Sequence, residues 1–194
     1  MILFSALAEI ELVPLNYLRD IKKKKVVKKI RETLTLKQRQ IVNDYLLSNY
    51  PEFHRFLHIF FHSGARISEL IRLKAKDVEL ENQRFKITIL KGASYKEVWK
   101  TIKDIAMPYW IDAINSATKE DYVFSKGLNT GTTLIQPYLI NKRWNRLVKK
   151  KLNITADFYS IKHLHTTEVV ELLNDKEAAQ HNSHTFTTMV KMTL

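Results

Sequence analysis

The sequence contains no cysteine in 194 residues. That excludes a disulfide framework and a thiolate metal site, and it fits a reducing cytoplasm. Glycine and proline are scarce, with four of each, which points to a compact, mostly helical fold. No apolar run approaches the ~20 residues of a membrane span. The opening stretch MILFSALAEIELVPL is apolar, but Glu9 and Glu11 interrupt it and no basic segment precedes it. It reads as an amphipathic helix, not a signal peptide.

Positive charge is what the chain has in excess. Lysine and arginine number 32 against 20 acidic residues, a net charge of +12. The partner this implies is a polyanion, with nucleic acid first and an anionic membrane surface second. Hydrophobic residues make up 45% of the chain, enough for the core of one domain with a fragment of another beside it.

The run RDIKKKKVVKKIRE closes the first 34 residues as a linker or an exposed helix. Order begins at Thr35. Thr35-Leu36-Lys37-Gln38 has the form of a capping box and opens a helix to about Leu47. Pro51 suits the first position of the next helix, and PEFHRFLHIFF is apolar on most sides, hence buried. Ser63, Gly64 and Ala65 then lead into a further helix, on which Ile67, Leu70 and Ile71 share one face. Arg66 falls in its first turn, where a cation opposes the helix dipole.

Val78 and Leu80, then Phe85, Ile87 and Ile89, alternate with polar residues at the strand period. With turns at Glu81–Gln83 and Lys91–Ser94 and a third strand over Glu97–Ile105, they predict a three-stranded antiparallel meander. Helices are expected again over Tyr109–Ala117, Gln136–Leu152, Ser160–Leu173 and from Lys176 onward. The fold class is therefore mainly α with a small three-stranded antiparallel sheet.

The helix over Gln136–Leu152 places Ile140, Trp144, Leu147 and Val148 on one face. Lys142, Arg143, Arg146, Lys149 and Lys150 lie largely off that face. Such a basic surface suits phosphate contacts that are indifferent to base sequence. His163, His165, His181 and His184 enrich the last third in histidine. Without cysteines or an acidic cluster nearby they are not read as a metal site.

The order of these blocks resembles the tyrosine recombinase (phage integrase) family. HSGARISELIRLKAKDVEL resembles its first arginine box, and ILKGASYKEVWKTIK its sheet hairpin. DFYSIKHLHTTEVVELL stands where the family has a His-x-x-Arg box, and NSHTFTTMV resembles the later Gly-His box. The resemblance implies a recombinase catalytic domain over residues 35–194, with residues 1–34 a linker or the remnant of a core-binding domain. It also implies metal-free phosphoryl transfer on double-stranded DNA with no cofactor, a 3′-phosphotyrosine intermediate, and assembly as a tetramer on DNA. The setting would be cytoplasmic, bacterial or phage-derived. Arg66 would hold non-bridging phosphate oxygens through its planar fork. Lys91 would protonate the departing 5′ oxygen. Beside that role stands a plainer one for Arg66, an ion pair with Glu69, worth ~0.3–0.5 kcal/mol if exposed.

The match departs from the family pattern at three places. Tyr159 takes the position of the box histidine, and Lys162 that of the second arginine, keeping charge but losing the bidentate fork. His184 is the better choice over His181 for the Gly-His box because Ser183-His184 leads into Thr187-Thr188. In either register no tyrosine falls at the nucleophile position, which becomes Thr193 or Leu194 in the preferred one. The expectation is a catalytic domain shortened at its C-terminus, as a fragment of a longer integrase or a decayed copy from a mobile element. The rival readings are a non-catalytic DNA-binding relic or regulator of that ancestry, and a helix-turn-helix regulator without it.

Overall fold

The structure, a computed structural model, describes residues 2–13, 32–91 and 94–162. These residues belong to two units, one within Met1–Ile30 and the other within Arg31–Leu194. In the first, helix α1 spans Ile2–Glu9, and Ile10 and Leu12 after it are exposed.

The second unit begins with the reciprocal cap that the sequence predicts. The Thr35 hydroxyl accepts from the Gln38 backbone N–H at 3.2 Å, and the Gln38 side-chain carbonyl accepts from the Thr35 N–H at 3.0 Å. Two donors that the helix itself cannot satisfy are thereby bonded. Helix α2 (Leu36–Asn49) follows and buries Val42 and Leu46. Pro51 opens helix α3 (Pro51–Ser63), where a missing N–H costs nothing. Asn43 of α2 lies between two histidines of α3, its side-chain oxygen 2.9 Å from His54 Nε2 and 3.0 Å from His58 Nε2. Burial pushes the His58 imidazole down to about 4, with His54 and His62 adding to the shift.

Gly64 adopts a left-handed conformation (φ 61°) that ends α3 and turns the chain toward Arg66. One expectation needs correction here. Arg66 is not in the first turn of a helix but is the N-cap, with extended backbone at φ −88° and ψ 157°. Helix α4 is a single turn, Ile67–Leu70. It stops because backbone partners farther along the chain take over: Val123 N–H donates to the Leu73 carbonyl, and Ala75 N–H to the Asp121 carbonyl, both at 2.9 Å.

The sheet has the expected form, with order β1-β2-β3 and antiparallel pairing throughout. Its strands are β1 (Val78–Glu79), β2 (Arg84–Lys91) and β3 (Ser94–Thr101). The third strand starts earlier than Glu97 and ends before Ile105. Lys91 pairs with Ser94, so the ladder runs unbroken to the tight hairpin end. At its other end Ile102 N–H donates to the Gln83 carbonyl at 2.7 Å, and a 3-10 turn follows at Asp104–Ala106. Phe85, Ile87 and Ile89 are buried on one face of β2. Across from them stand Lys100, Val98 and Lys96. Arg84 and Lys86 take the other face, where the Arg84 guanidinium lies 4.3 Å from the Trp99 ring.

Helix α5 (Met107–Ile114) packs Trp110 against Phe85, ring centroids 4.8 Å apart. The long basic helix runs from Pro137 to Leu152 as α6 (Pro137–Trp144), a π-helical stretch (Asn145–Lys149) and α7 (Lys150–Leu152). Ile140, Trp144, Leu147 and Val148 are all buried, as their spacing predicts. Trp144 Nε1 donates to the Ala156 carbonyl at 2.9 Å. That bond holds the following segment against the helix and delivers Phe158 into a ring cluster with Phe53, Phe56 and Phe60. Residues 160–162 are helical. The remainder of the expected Ser160–Leu173 helix, and everything from Lys176 onward, lies outside the described residues. Among the described residues no helix is long and apolar enough to cross a membrane.

Candidate nucleic-acid interface

Arg66 and Glu69 define the most structured charged site. The Arg66 backbone N–H donates to Glu69 Oε2 at 2.7 Å, and its Nη1 donates to Glu69 Oε1 at 2.7 Å. The carboxylate is buried, whereas the arginine side chain is 43% exposed. One edge of the guanidinium is thus fixed while much of the side chain remains accessible. The apparent conflict between a cation and a helix N-terminus is resolved by the same contact. Glu69, in the first turn, supplies the negative charge that the dipole favours.

Lys162 is brought to this site from 98 residues away in sequence, its Nζ donating to the Gly64 carbonyl at 3.1 Å. Phe158 and Ile161, both buried, anchor the turn that carries it. Burial pushes the Lys162 ammonium down to about 8; Glu69 opposes the shift, while Arg66 and Lys100 add to it. Lys100, on the inward face of β3 opposite Phe85, is buried as well. Its ammonium is likewise pushed down to about 8 by burial, with Glu69 opposing and Arg66 adding.

The other expected residues are placed as follows. Lys91 is the last residue of β2, at the hairpin end. Tyr159 lines a polar cleft of about 500 Å³ with Asn141, Asn145, Asp157 and Phe158. His184 lies outside the described residues, as do His163, His165 and His181. Lys142, Arg143, Arg146 and Lys150 line a larger cleft of about 880 Å³, which also includes Lys126 and Tyr138. Asn141 and Asn145 border both clefts.

The basic helix is not uniform. Lys142, Arg146 and Lys150 are exposed. Arg143 is tied down: its Nη1 donates to the Gly127 carbonyl at 3.2 Å and its guanidinium lies 5.7 Å from the Phe53 ring. Burial lowers its pKa, with Arg146 adding to the shift. Lys149 is paired with Asp157 at 2.6 Å. Among the described residues, no group of three or more His, Cys, Asp or Glu side chains is placed to hold a metal ion.

Sequence reasoning missed Lys100 and Lys126. Lys100 had a readable signal, since strand alternation puts it on the same face as Val98. Lys126 had none, because it reaches the cleft from a 3-10 turn far from the basic helix in sequence.

The model of the Phage integrase family matches residues 23–191. The chain belongs to this family. As a phage integrase family member it shares its fold with solved recombinases at low identity. A lambda integrase dimer bound to a COC′ core site aligns at TM-score 0.74 and 14% identity, over 98% of this chain and 68% of that one. XerA recombinase aligns at TM-score 0.68 and 16% identity, over 90% and 62%. The Tn1549 transposon integrase, in complex with a circular intermediate DNA, aligns at 0.66 and 16%, over 98% and 70%. This integrase-family chain therefore spans about three fifths of the XerA recombinase it matches. Among curated proteins, none matches it by sequence.

Proposed function

We propose that this chain is the phosphate-handling part of a tyrosine recombinase that breaks and rejoins double-stranded DNA at specific sites. The observation that carries the reading is the half-exposed Arg66 guanidinium clamped on buried Glu69, with Lys162 held on the Gly64 carbonyl beside it. An arginine so fixed is preorganised to hold phosphoryl oxygens without reorganising as charge develops on them. Lys162 supplies a second, point-like cation where the family has another fork. The exposed cations of the basic helix, Lys142, Arg146 and Lys150, track the DNA backbone beside it.

The reaction is a transesterification. A tyrosine oxygen attacks the scissile phosphorus, the 5′ oxygen leaves with a proton from Lys91, and a 3′-phosphotyrosyl bond stores the energy for rejoining. The family register supplies no tyrosine within this sequence. By itself the chain is therefore expected to bind the DNA backbone with little or no cleavage, and strand transfer belongs to a protein or assembly that supplies the tyrosine. Tyr159 donates to the phosphate from the box-histidine position, and His184 completes the set. Assembly on DNA as a tetramer is part of the same proposal.

Two measurements test it. A nicked suicide duplex incubated with the 194-residue chain should give no covalent protein–DNA adduct, and an adduct would overturn the non-cleaving reading. Arg66→Ala should weaken DNA binding and reduce the dependence of log K on log salt by about one. An unchanged slope would remove Arg66 from the phosphate site and favour a regulator without recombinase ancestry.

A further inference from the structure

We propose that Asn43, His54 and His58 form a binding site for one divalent transition-metal ion of the zinc class, which ties α2 to α3. No step of the phosphoryl transfer runs through it.

The first support is a triangle of donor atoms. Asn43 Oδ1 lies 2.9 Å from His54 Nε2 and 3.0 Å from His58 Nε2, and the two nitrogens are 3.0 Å apart. Hydrogen bonds alone do not satisfy this arrangement. The amide oxygen carries no proton, and each Nε2 carries at most one. At most two protons therefore serve three edges, and one edge always sets two electronegative atoms together with no proton of its own. A cation shared by all three atoms removes that conflict. An ion about 2.1 Å from each donor, the usual length for zinc and imidazole, would see them at roughly right angles. That is one face of an octahedron, with the other positions left for water.

The second support is the way the donors are held. His54 and His58 are four residues apart on α3, the spacing that puts two imidazoles on one helix face toward a shared ion. The His58 ring stacks on Tyr109, centroids 4.4 Å apart, and His54 meets the same tyrosine edge-on at 5.8 Å. Asn43 Nδ2 donates to Asp44 Oδ1 at 3.2 Å, and Gln40 Nε2 donates to the same oxygen at 2.8 Å. These contacts turn the oxygen end of the amide toward the histidines, as outer partners of metal ligands do. The described residues hold no metal-binding group of three or more His, Cys, Asp or Glu side chains; here the third donor is an amide oxygen.

The third support is access. His54 is buried, but His58 and Asn43 are half-buried and line a pocket of about 320 Å³ between α2 and α3. An ion and its water can enter from that side. Imidazole suits zinc, copper and nickel, whereas magnesium and calcium prefer all-oxygen sets. The donor set is neutral and Arg39 lines the same pocket. One negative charge added to the set should therefore tighten binding.

The test uses the full chain and zinc chloride, with thermal melting and competition against a chromophoric chelator as readouts. Zinc should raise the melting temperature, because the folded chain alone brings the three donors together. Magnesium at the same concentration should not. His58→Gln and Asn43→Ala should each weaken zinc binding by at least about tenfold and remove most of the melting shift. Asn43→Asp, which keeps an oxygen in place and charges it, should bind zinc severalfold more tightly than the unmodified chain. If His58→Gln does not fold, the opposite changes expected of the two Asn43 variants decide the matter. Zinc held by His163, His165, His181 or His184 instead would give the same affinity in every variant, and that result overturns the proposal. So does a melting temperature of the unmodified chain that zinc leaves unchanged.

Discussion

Arg66 and Glu69 are bonded twice, through backbone and through side chain, and both contacts are 2.7 Å. The double bond makes the pair a fixed part of the backbone turn between Gly64 and α4. An exposed helix pair would fluctuate and contribute little. This one has a buried acid, so its loss should be felt in both stability and binding.

Glu69→Ala should destabilise the domain by about 2–3 kcal/mol, toward the range seen when one partner of a buried pair is removed. Urea unfolding measures this. A loss below ~1 kcal/mol would place the pair in the exposed class.

Thr35→Ala breaks a capping box remote from the charged site. A loss of about 1 kcal/mol is expected, from the unsatisfied donors at the start of α2. DNA affinity at fixed salt should not change, which makes this variant a stability control for the others.

Stability should respond to alkaline pH in a particular direction. Lys162 and Lys100 release their protons near 8 when folded, against about 10.4 in the unfolded chain. Between these values the unfolded state binds more protons, so stability rises with pH. Thermal melts of the DNA-free chain should climb from about pH 8 to about 10, and Lys162→Met should flatten that rise. A falling melting temperature across that window would contradict the burial of these two groups.

The basic helix should divide into two kinds of residue. Changing Lys142, Arg146 and Lys150 together to alanine should weaken DNA binding similarly for unrelated sequences and lower the salt slope by up to about three. Melting should be little changed, since all three are exposed. Arg143→Ala should instead lower the melting temperature, because Arg143 bonds Gly127 and lies over Phe53. Calorimetry paired with anisotropy separates the two effects.

Much of the local structure was legible because it is set by neighbours in sequence. The Thr35 cap, the Pro51 helix start, the buried stripe of Ile140, Trp144, Leu147 and Val148, and the meander over residues 78–101 all follow from short-range period and turn chemistry. The errors fell where distant segments compete for backbone bonds. Periodicity over Ile67, Leu70 and Ile71 puts Arg66 in the first turn of a helix, yet Arg66 caps a single turn, and beyond it Leu73 and Ala75 bond to Val123 and Asp121.

The sequence by itself determined the fold class, the excess of positive charge and the phage integrase resemblance. Only the tertiary structure decided how Arg66 is held and which charges surround it. Glu69 could be read as a partner from its spacing, but its burial could not, because burial depends on β2 and α6 packing against one helical turn. Lys162 could be aligned to a family position, but its bond to the Gly64 carbonyl, 98 residues away, arises from packing Phe158 into the aromatic cluster. Lys100 is buried because a strand places alternate residues inward whatever their charge. The energy of a buried lysine is set by what the fold puts beside it.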